Sequence, residues 1–205
     1  AGHAAGGLGS YLGVENFGNA EKGTHTLPWG VPGLESYHGD SLFLTEVLTM
    51  EAKKALDSAL LTSKPFYLYM AHYAVHIPLN PDVRFYQKYL EAGLPDPEAK
   101  YASMIEAMDK SLLDLMDYLD QKGIAENTII LFMSDNGGFS LKPRAGEQHT
   151  HNLPLHSGKG SAYEGGIREP MLVKWPSVVT AGARTDEKVI IEDFFPTVLE
   201  MARIQ

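Results

Sequence analysis

Apolar residues recur with a helical period in two parts of the chain and form short continuous runs in three others. Over residues 44–61, Leu44, Leu48, Ala52, Ala55, Ala59 and Leu60 fall on one face, which predicts a helix. Over residues 97–122, Tyr101, Ile105, Met108, Leu112, Leu115 and Leu119 make a regular amphipathic stripe, with Gly123 at the C-cap position. The runs 66–71, 128–133 and 170–176 are short, apolar and bounded by turn residues, so each is predicted as a strand. Residues 192–204 begin a further helix that Asp193 would cap.

The segments between these elements are rich in glycine, proline and aromatic residues. Residues 1–40 hold no sustained period and are expected to be loop; residues 139–168 are a second glycine-rich loop. The order helix, strand, helix, strand, loop, strand predicts an α/β fold, with a mostly parallel sheet covered by helices on both faces. In such sheets ligands bind outside the carboxyl ends of the strands. Three polar groups lie at such places: His72 and His76 after the first run, Asp135 and Asn136 after the second, and the loop that holds Lys159.

Charge narrows what the site can bind. Seventeen basic residues stand against 26 acidic ones, a net charge of −9, and no basic stripe is present, so nucleic acid is not expected as a partner. A negative chain repels anions at long range. An anionic substrate must therefore be met locally, by a metal ion and a few placed cations. The absence of cysteine removes disulfides, thiolate nucleophiles and cysteine-ligated zinc. No apolar run reaches membrane-spanning length, and Ala1–Gly7 lacks the charged and apolar regions of a signal peptide.

Each polar group has a functional and an ordinary reading. Asp135-Asn136-Gly137-Gly138 offers hard oxygen donors suited to Ca²⁺ or Mg²⁺; alone, it equally describes an Asx turn. His76, before Ile77-Pro78, has the chemistry to give a proton to an oxyanion, or simply to bond the backbone of a loop. His72 and His76 are four apart, but Pro78 argues against the helix that a paired metal site needs. His149, His151 and His156 match no standard zinc spacing; one of them is expected to touch substrate, and His156 is the candidate. Lys159, between Gly158 and Gly160, projects from a turn toward an anion or into solvent, and the P-loop pattern is missing. Tyr11, Phe17, Trp29 and Tyr37 have rings able to stack on a sugar, but local packing is the commoner use.

Four stretches, in order and in register, carry a resemblance. They are Lys64–Ala71 followed by His76-Ile77-Pro78; Tyr101–Leu119 followed by Gly123, Asn127-Thr128 and Ser134-Asp135-Asn136-Gly137; Asn152-Leu153-Pro154-Leu155, Gly158-Lys159-Gly160 and Tyr163–Pro170; and Asp193–Thr197. Together they resemble the sulfatase family of the alkaline-phosphatase-like superfamily, from about residue 40 onward.

The resemblance implies an alkaline-phosphatase-like fold and hydrolysis of sulfate monoesters on a small molecule or glycan. It implies that Asp135 and Asn136 are calcium ligands, with Mg²⁺ the lesser choice. His76 and Lys159 would contact the ester and support the leaving oxygen, and Glu164-Gly165-Gly166 with Arg168 would shape the loop. The family's formylglycine comes from Cys or Ser in a C/S-x-P-x-R signature, which this sequence lacks, as it does the paired early aspartates and the Gly-Lys-x-His lysine. Residues 41–205 are thus expected to be the later part of a catalytic domain, incomplete and inactive alone, with a sheet edge open to self-association. A periplasmic or secreted location is expected. A phosphoester or phosphonate hydrolase of the same superfamily, and a non-catalytic glycan-binding relative, remain alternatives.

Overall fold

The computed structural model describes residues 31, 33–37, 40–76, 79–139 and 152–204. His3, Tyr11, Phe17, Trp29, His149 and His151, and most of the predicted N-terminal loop, lie outside these residues.

Three helices make the core. Helix α1, Leu44–Leu60, starts at Phe43, whose extended backbone offers its carbonyl to the amides of Glu46 and Val47. It buries Leu44, Val47, Ala52 and Leu56, together with Thr45 and Thr49. The predicted face is therefore rotated: Leu48 is only half-buried and Ala55 is exposed. Helix α2, Val83–Glu91, has no counterpart among the sequence-based expectations. Its start is nonetheless written locally, because the Asp82 carboxylate accepts from the Arg84 amide at 3.0 Å, an N-cap bond. Its end is a Schellman motif: Gly93, at φ +86°, donates to Leu90 O, and Leu94 donates to Tyr89 O.

Helix α3, Asp96–Gln121, packs against both α1 and α2. Its most buried row is Ala99, Ser103, Ala107 and Ser111, one residue per turn, with Met104 beside it. The predicted stripe flanks this row instead of coinciding with it: Tyr101 and Leu119 are buried, but Met108, Leu112 and Leu115 are half-covered and Ile105 is exposed. Small side chains let helices approach closely, so the neighbours close on that row and the larger residues fall to its sides. Gly123, at φ +70°, ends α3 as expected, with Ile124 donating to Leu119 O.

Strand β1, Ile130–Met133, follows a short turn at Ala125–Asn127 and pairs with strand β2, Met171–Lys174. The register sets Ile130 opposite Lys174 and Met133 opposite Met171, and the pair is antiparallel. This one pair runs opposite to the mostly parallel arrangement expected, and no parallel pair is formed among the described residues. The predicted strand 66–71 is corrected: the segment is not part of a sheet, and Tyr67 and Tyr69 are 74% and 77% exposed. An apolar run forms a ladder only where a second backbone lies alongside, and none of the described residues takes that place. Phe66 instead packs with Ile130, Leu115 and Tyr118 around buried Leu56, Leu119 and Ala125. Beyond β2, a turn at Ile191–Asp193 leads into the expected helix, α5, Phe194–Met201, but Asp193 does not cap it: its carboxylate accepts from the Ile190 amide at 2.9 Å instead. No described helix is long and apolar enough to cross a membrane.

Candidate active site

The site is built where β1 ends. Past Met133 the chain turns through Ser134–Phe139, and the Ser134 hydroxyl donates to Asn136 O at 2.8 Å. The Asn136 amide nitrogen donates to Gly137 O at 3.0 Å, so this bond leaves the carbonyl oxygen Oδ1 uncommitted. Asp135 is exposed beside it. Gly137 is required by close approach, because a Cβ there would lie 1.9 Å from Gly165 O.

Gly165 belongs to the short helix α4, Glu164–Ile167. This helix is fixed to the turn by Gly137 N–H donating to Gly166 O at 3.0 Å. It is fixed to the lysine loop by Gly165 N–H donating to His156 O at 2.9 Å. The lysine loop in turn meets the Asp135-Asn136 turn directly, the Lys159 amide donating to Gly138 O at 2.9 Å. Asp135, Asn136, His156 and Lys159 thus stand on one hydrogen-bonded assembly of loops. Among the described residues no carboxylate pairs with the Lys159 side chain. His156 is exposed and meets Tyr163 edge-on, with ring centroids 4.5 Å apart. Arg168 pairs with Glu164 at 3.3 Å along α4, in keeping with an architectural part.

His76 is held from another element. It follows the extended segment 66–71, and its amide donates to Tyr73 O at 3.0 Å. His72 has a different use from any metal ligand. Its Nε2 lies 3.4 Å from Ser111 Oγ inside the core, and burial lowers its pKa to about 4. The residues from 71 to 76 are not helical, so the four-residue spacing does not bring the two histidines together as a helical pair.

Two residues stand out that the sequence gave no role. Glu169 is raised above the ordinary carboxylate range, first by burial and then by the charge of Asp135. It directly follows Arg168 in the signature stretch, and the nearness of two carboxylates was the signal that sequence order concealed. Asn152 bridges the Asp135-Asn136 turn and the lysine loop.

The donor chemistry here suits a hard divalent cation. A carboxylate, an amide oxygen and a second carboxylate nearby carry excess negative charge that such an ion would relieve. The set is partial: Ca²⁺ takes about six to eight oxygens. Among the described residues no group of three or more acidic, histidine or cysteine side chains gathers as a metal site.

A model of the sulfatase family matches residues 7–204 of the 205. The chain belongs to the sulfatase family. It is 34% identical over 187 residues to a sulfatase of Formosa agariphila, covering 85% of this chain and 32% of that protein. It is 32% identical over 184 residues to arylsulfatase J of Mus musculus, covering 86% of this chain and 29% of that one. Among solved structures, Ps i-CgsB in complex with k-i-k-neocarrahexaose superimposes with a TM-score of 0.73 at 35% identity, over 82% of this chain and 36% of that one. The chain therefore spans about a third of the length of the relatives it matches. These likenesses imply an alkaline-phosphatase-like α/β fold for this sulfatase segment.

Proposed function

We propose that the protein containing this segment hydrolyses sulfate monoesters carried on a glycan. The observation that carries the reading is the Lys159 amide bonded to Gly138 O, which ties a lysine loop to an Asp-Asn turn at the end of β1. Hard oxygen ligands for a cation and a positively charged side chain are thereby built on one frame. That pairing suits an anionic ester better than a neutral substrate.

Asp135 and Asn136 would hold a calcium ion through their side-chain oxygens. When bound, that ion supplies positive charge against the sulfate oxygens. Calcium fits an exposed, adaptable turn better than magnesium, which demands a tighter octahedral shell. Lys159 donates from Nζ to the leaving oxygen as charge develops there. His76 supplies a proton to the same oxygen, a task suited to an imidazole near neutral pH. His156, steadied by the edge of Tyr163, offers a ring nitrogen to the sugar. Members of the family use a formylglycine, and no cysteine or Ser-x-Pro-x-Arg precursor for it is present in these 205 residues.

The neocarrahexaose bound by Ps i-CgsB supports an oligosaccharide rather than a small aryl ester as substrate. A polymer of that kind does not cross a membrane, which supports a periplasmic or secreted enzyme. The same reading makes 66–71 a strand of a larger, mostly parallel sheet once a neighbouring strand lies beside it, with residues 41–205 forming the later part of the catalytic domain.

The test is release of inorganic sulfate by the full-length protein from a sulfated oligosaccharide, with the phosphate ester of the same sugar as control. Sulfate release that falls by roughly 100-fold or more in Lys159→Ala is expected, by analogy with loss of one transition-state donor. Preferential release of phosphate would replace the sulfatase reading with a phosphoesterase one.

A further inference from the structure

Among the described residues the amide of Asn152 makes three hydrogen bonds, all to backbone. Its Oδ1 accepts from Gly138 N–H at 2.9 Å, and its Nδ2 donates to Gly138 O at 2.8 Å and to Ser157 O at 3.1 Å. The partners fix which end of the amide is which, because an N–H demands the oxygen and two carbonyls demand the nitrogen. Gly138 lies three residues beyond Asp135. Ser157 lies two residues before Lys159.

The clamp is closely fitted. A Cβ on Gly138 would stand 2.6 Å from Asn152 Oδ1, so glycine there is what lets the amide reach the main chain. Gly138 O receives two donors at once, the Asn152 amide and the Lys159 N–H. The far side of the turn is anchored to helix α3 by a backbone hydrogen bond between Phe139 and the buried Tyr101 phenol. Without Asn152, the turn and the loop would keep one direct bond, from the Lys159 amide to Gly138 O, in place of a braced pair.

We propose that Asn152 is a positioning residue that sets the distance between the Asp135-Asn136 turn and the Lys159 side chain. It touches no substrate; it acts through Lys159. The role rests on the sulfate-ester reading above for its effect on turnover, though not for its effect on the loop. Aspartate is no substitute: it keeps an acceptor for Gly138 N–H but sets a carboxylate oxygen against two carbonyls. Alanine removes all three bonds.

The experiment uses the full-length protein in four forms: wild type, N152A, K159A and the double variant, with N152D as a second probe of the clamp. A misplacement of this size should lower kcat by about 100-fold in N152A with KM nearly unchanged. In the K159A background the further loss should shrink to within about threefold, because a residue acting through Lys159 has nothing left to position. N152D, which keeps the size of the side chain, should resemble N152A. Backbone hydrogen exchange at Lys159 should rise at least tenfold in N152A while exchange within α3 is unchanged. Additive losses in the cycle, or wild-type turnover in N152D, would overturn the proposal. If the wild type releases no sulfate, the functional reading fails by itself, and exchange still decides: unchanged protection at Lys159 in N152A overturns the clamp.

Discussion

Thr49 and Ser111 share a hydroxyl–hydroxyl hydrogen bond of 2.5 Å between helices α1 and α3. The direction of that bond follows from its neighbours. Thr49 Oγ1 donates to Thr45 O at 2.7 Å, and a hydroxyl has one proton to give. Ser111 must then donate to Thr49 and accept from His72 Nε2 at 3.4 Å. The chain of donors assigns His72 the Nε2–H tautomer, and its buried Nδ1 has no partner.

A pH dependence of stability follows. Burial holds His72 at a pKa of about 4 against an ordinary 6.5, so the folded form resists a proton that the unfolded form accepts. Stability is fully present above pH 6.5 and declines as pH falls toward 4, at about 1.4 kcal/mol per pH unit. Denaturant melts of wild type and His72→Phe should show this slope in the wild type and a flatter one in the variant. Equal slopes would contradict a buried neutral imidazole.

Ser111→Ala should destabilise the helical core by about 1–3 kcal/mol, because it strands the Nε2–H of His72 and removes the donor to Thr49. Thr49→Val removes both the bond to Thr45 O and the acceptor of the Ser111 hydroxyl, stranding the Ser111 proton, and should cost a similar amount. Thermal unfolding checks both; wild-type stability in either variant would contradict the relay.

Gly137→Ala should uncouple the Asp135-Asn136 turn from α4. The added methyl would sit 1.9 Å from Gly165 O, a main-chain atom that cannot swing aside. Sulfate release by the full-length enzyme is expected to fall by about 100-fold. The melting temperature should change far less, since the contact lies outside the three-helix core. Retained activity would show that the turn yields.

Calcium should depend on Asp135. In the full-length protein, Asp135→Ala is expected to raise the calcium concentration needed for half-maximal binding by at least tenfold, measured by calorimetry in the absence of substrate. The 205-residue chain alone should bind calcium weakly, since two or three oxygens are a fraction of the six to eight the ion takes. Micromolar binding by that chain would mean the donor set is larger than the one described.

The 205-residue chain should also associate with itself. Among the described residues the segment 66–71 is extended, apolar and unpaired, and β1–β2 is a two-stranded ribbon with open edges. Unpaired backbone beside apolar side chains recruits further strands. Light scattering should report species larger than a monomer; a monodisperse monomer with one sharp unfolding transition would exclude it.

Much of this architecture was legible from local pattern. Helices α1 and α3 appear within a residue or two of the expected bounds, because periodicity and a C-cap glycine are local signals. Which face they bury was not legible: Ala99, Ser103, Ala107 and Ser111 carry little hydrophobic signal, and their burial is decided by the neighbours. Helix α2 escaped because the prolines before it mask a start that Asp82 writes. The run 66–71 forms no ladder among the described residues for a matching reason: a strand is a property of two segments, and one segment cannot declare its partner. Residue types at loop positions single out Asp135, Asn136, His156 and Lys159 as candidates, and the structure sets them on loops joined through the main chain. Asn152 and Glu169 are not singled out in this way, since their importance lies in what stands opposite them in space.

The backbone bonds that hold the lysine loop have a consequence for how such a protein can diverge. Gly137 to Gly166, Lys159 to Gly138, Gly165 to His156 and Ser161 to Gly158 are all joined through main-chain atoms. Every residue type except proline carries those atoms, so an exchange at Leu155 or Tyr163 rewrites the lining of the loop while its frame persists. A lineage adapting to a new ester is free to experiment at those two positions and at His156. The glycines beneath are the part it inherits unchanged.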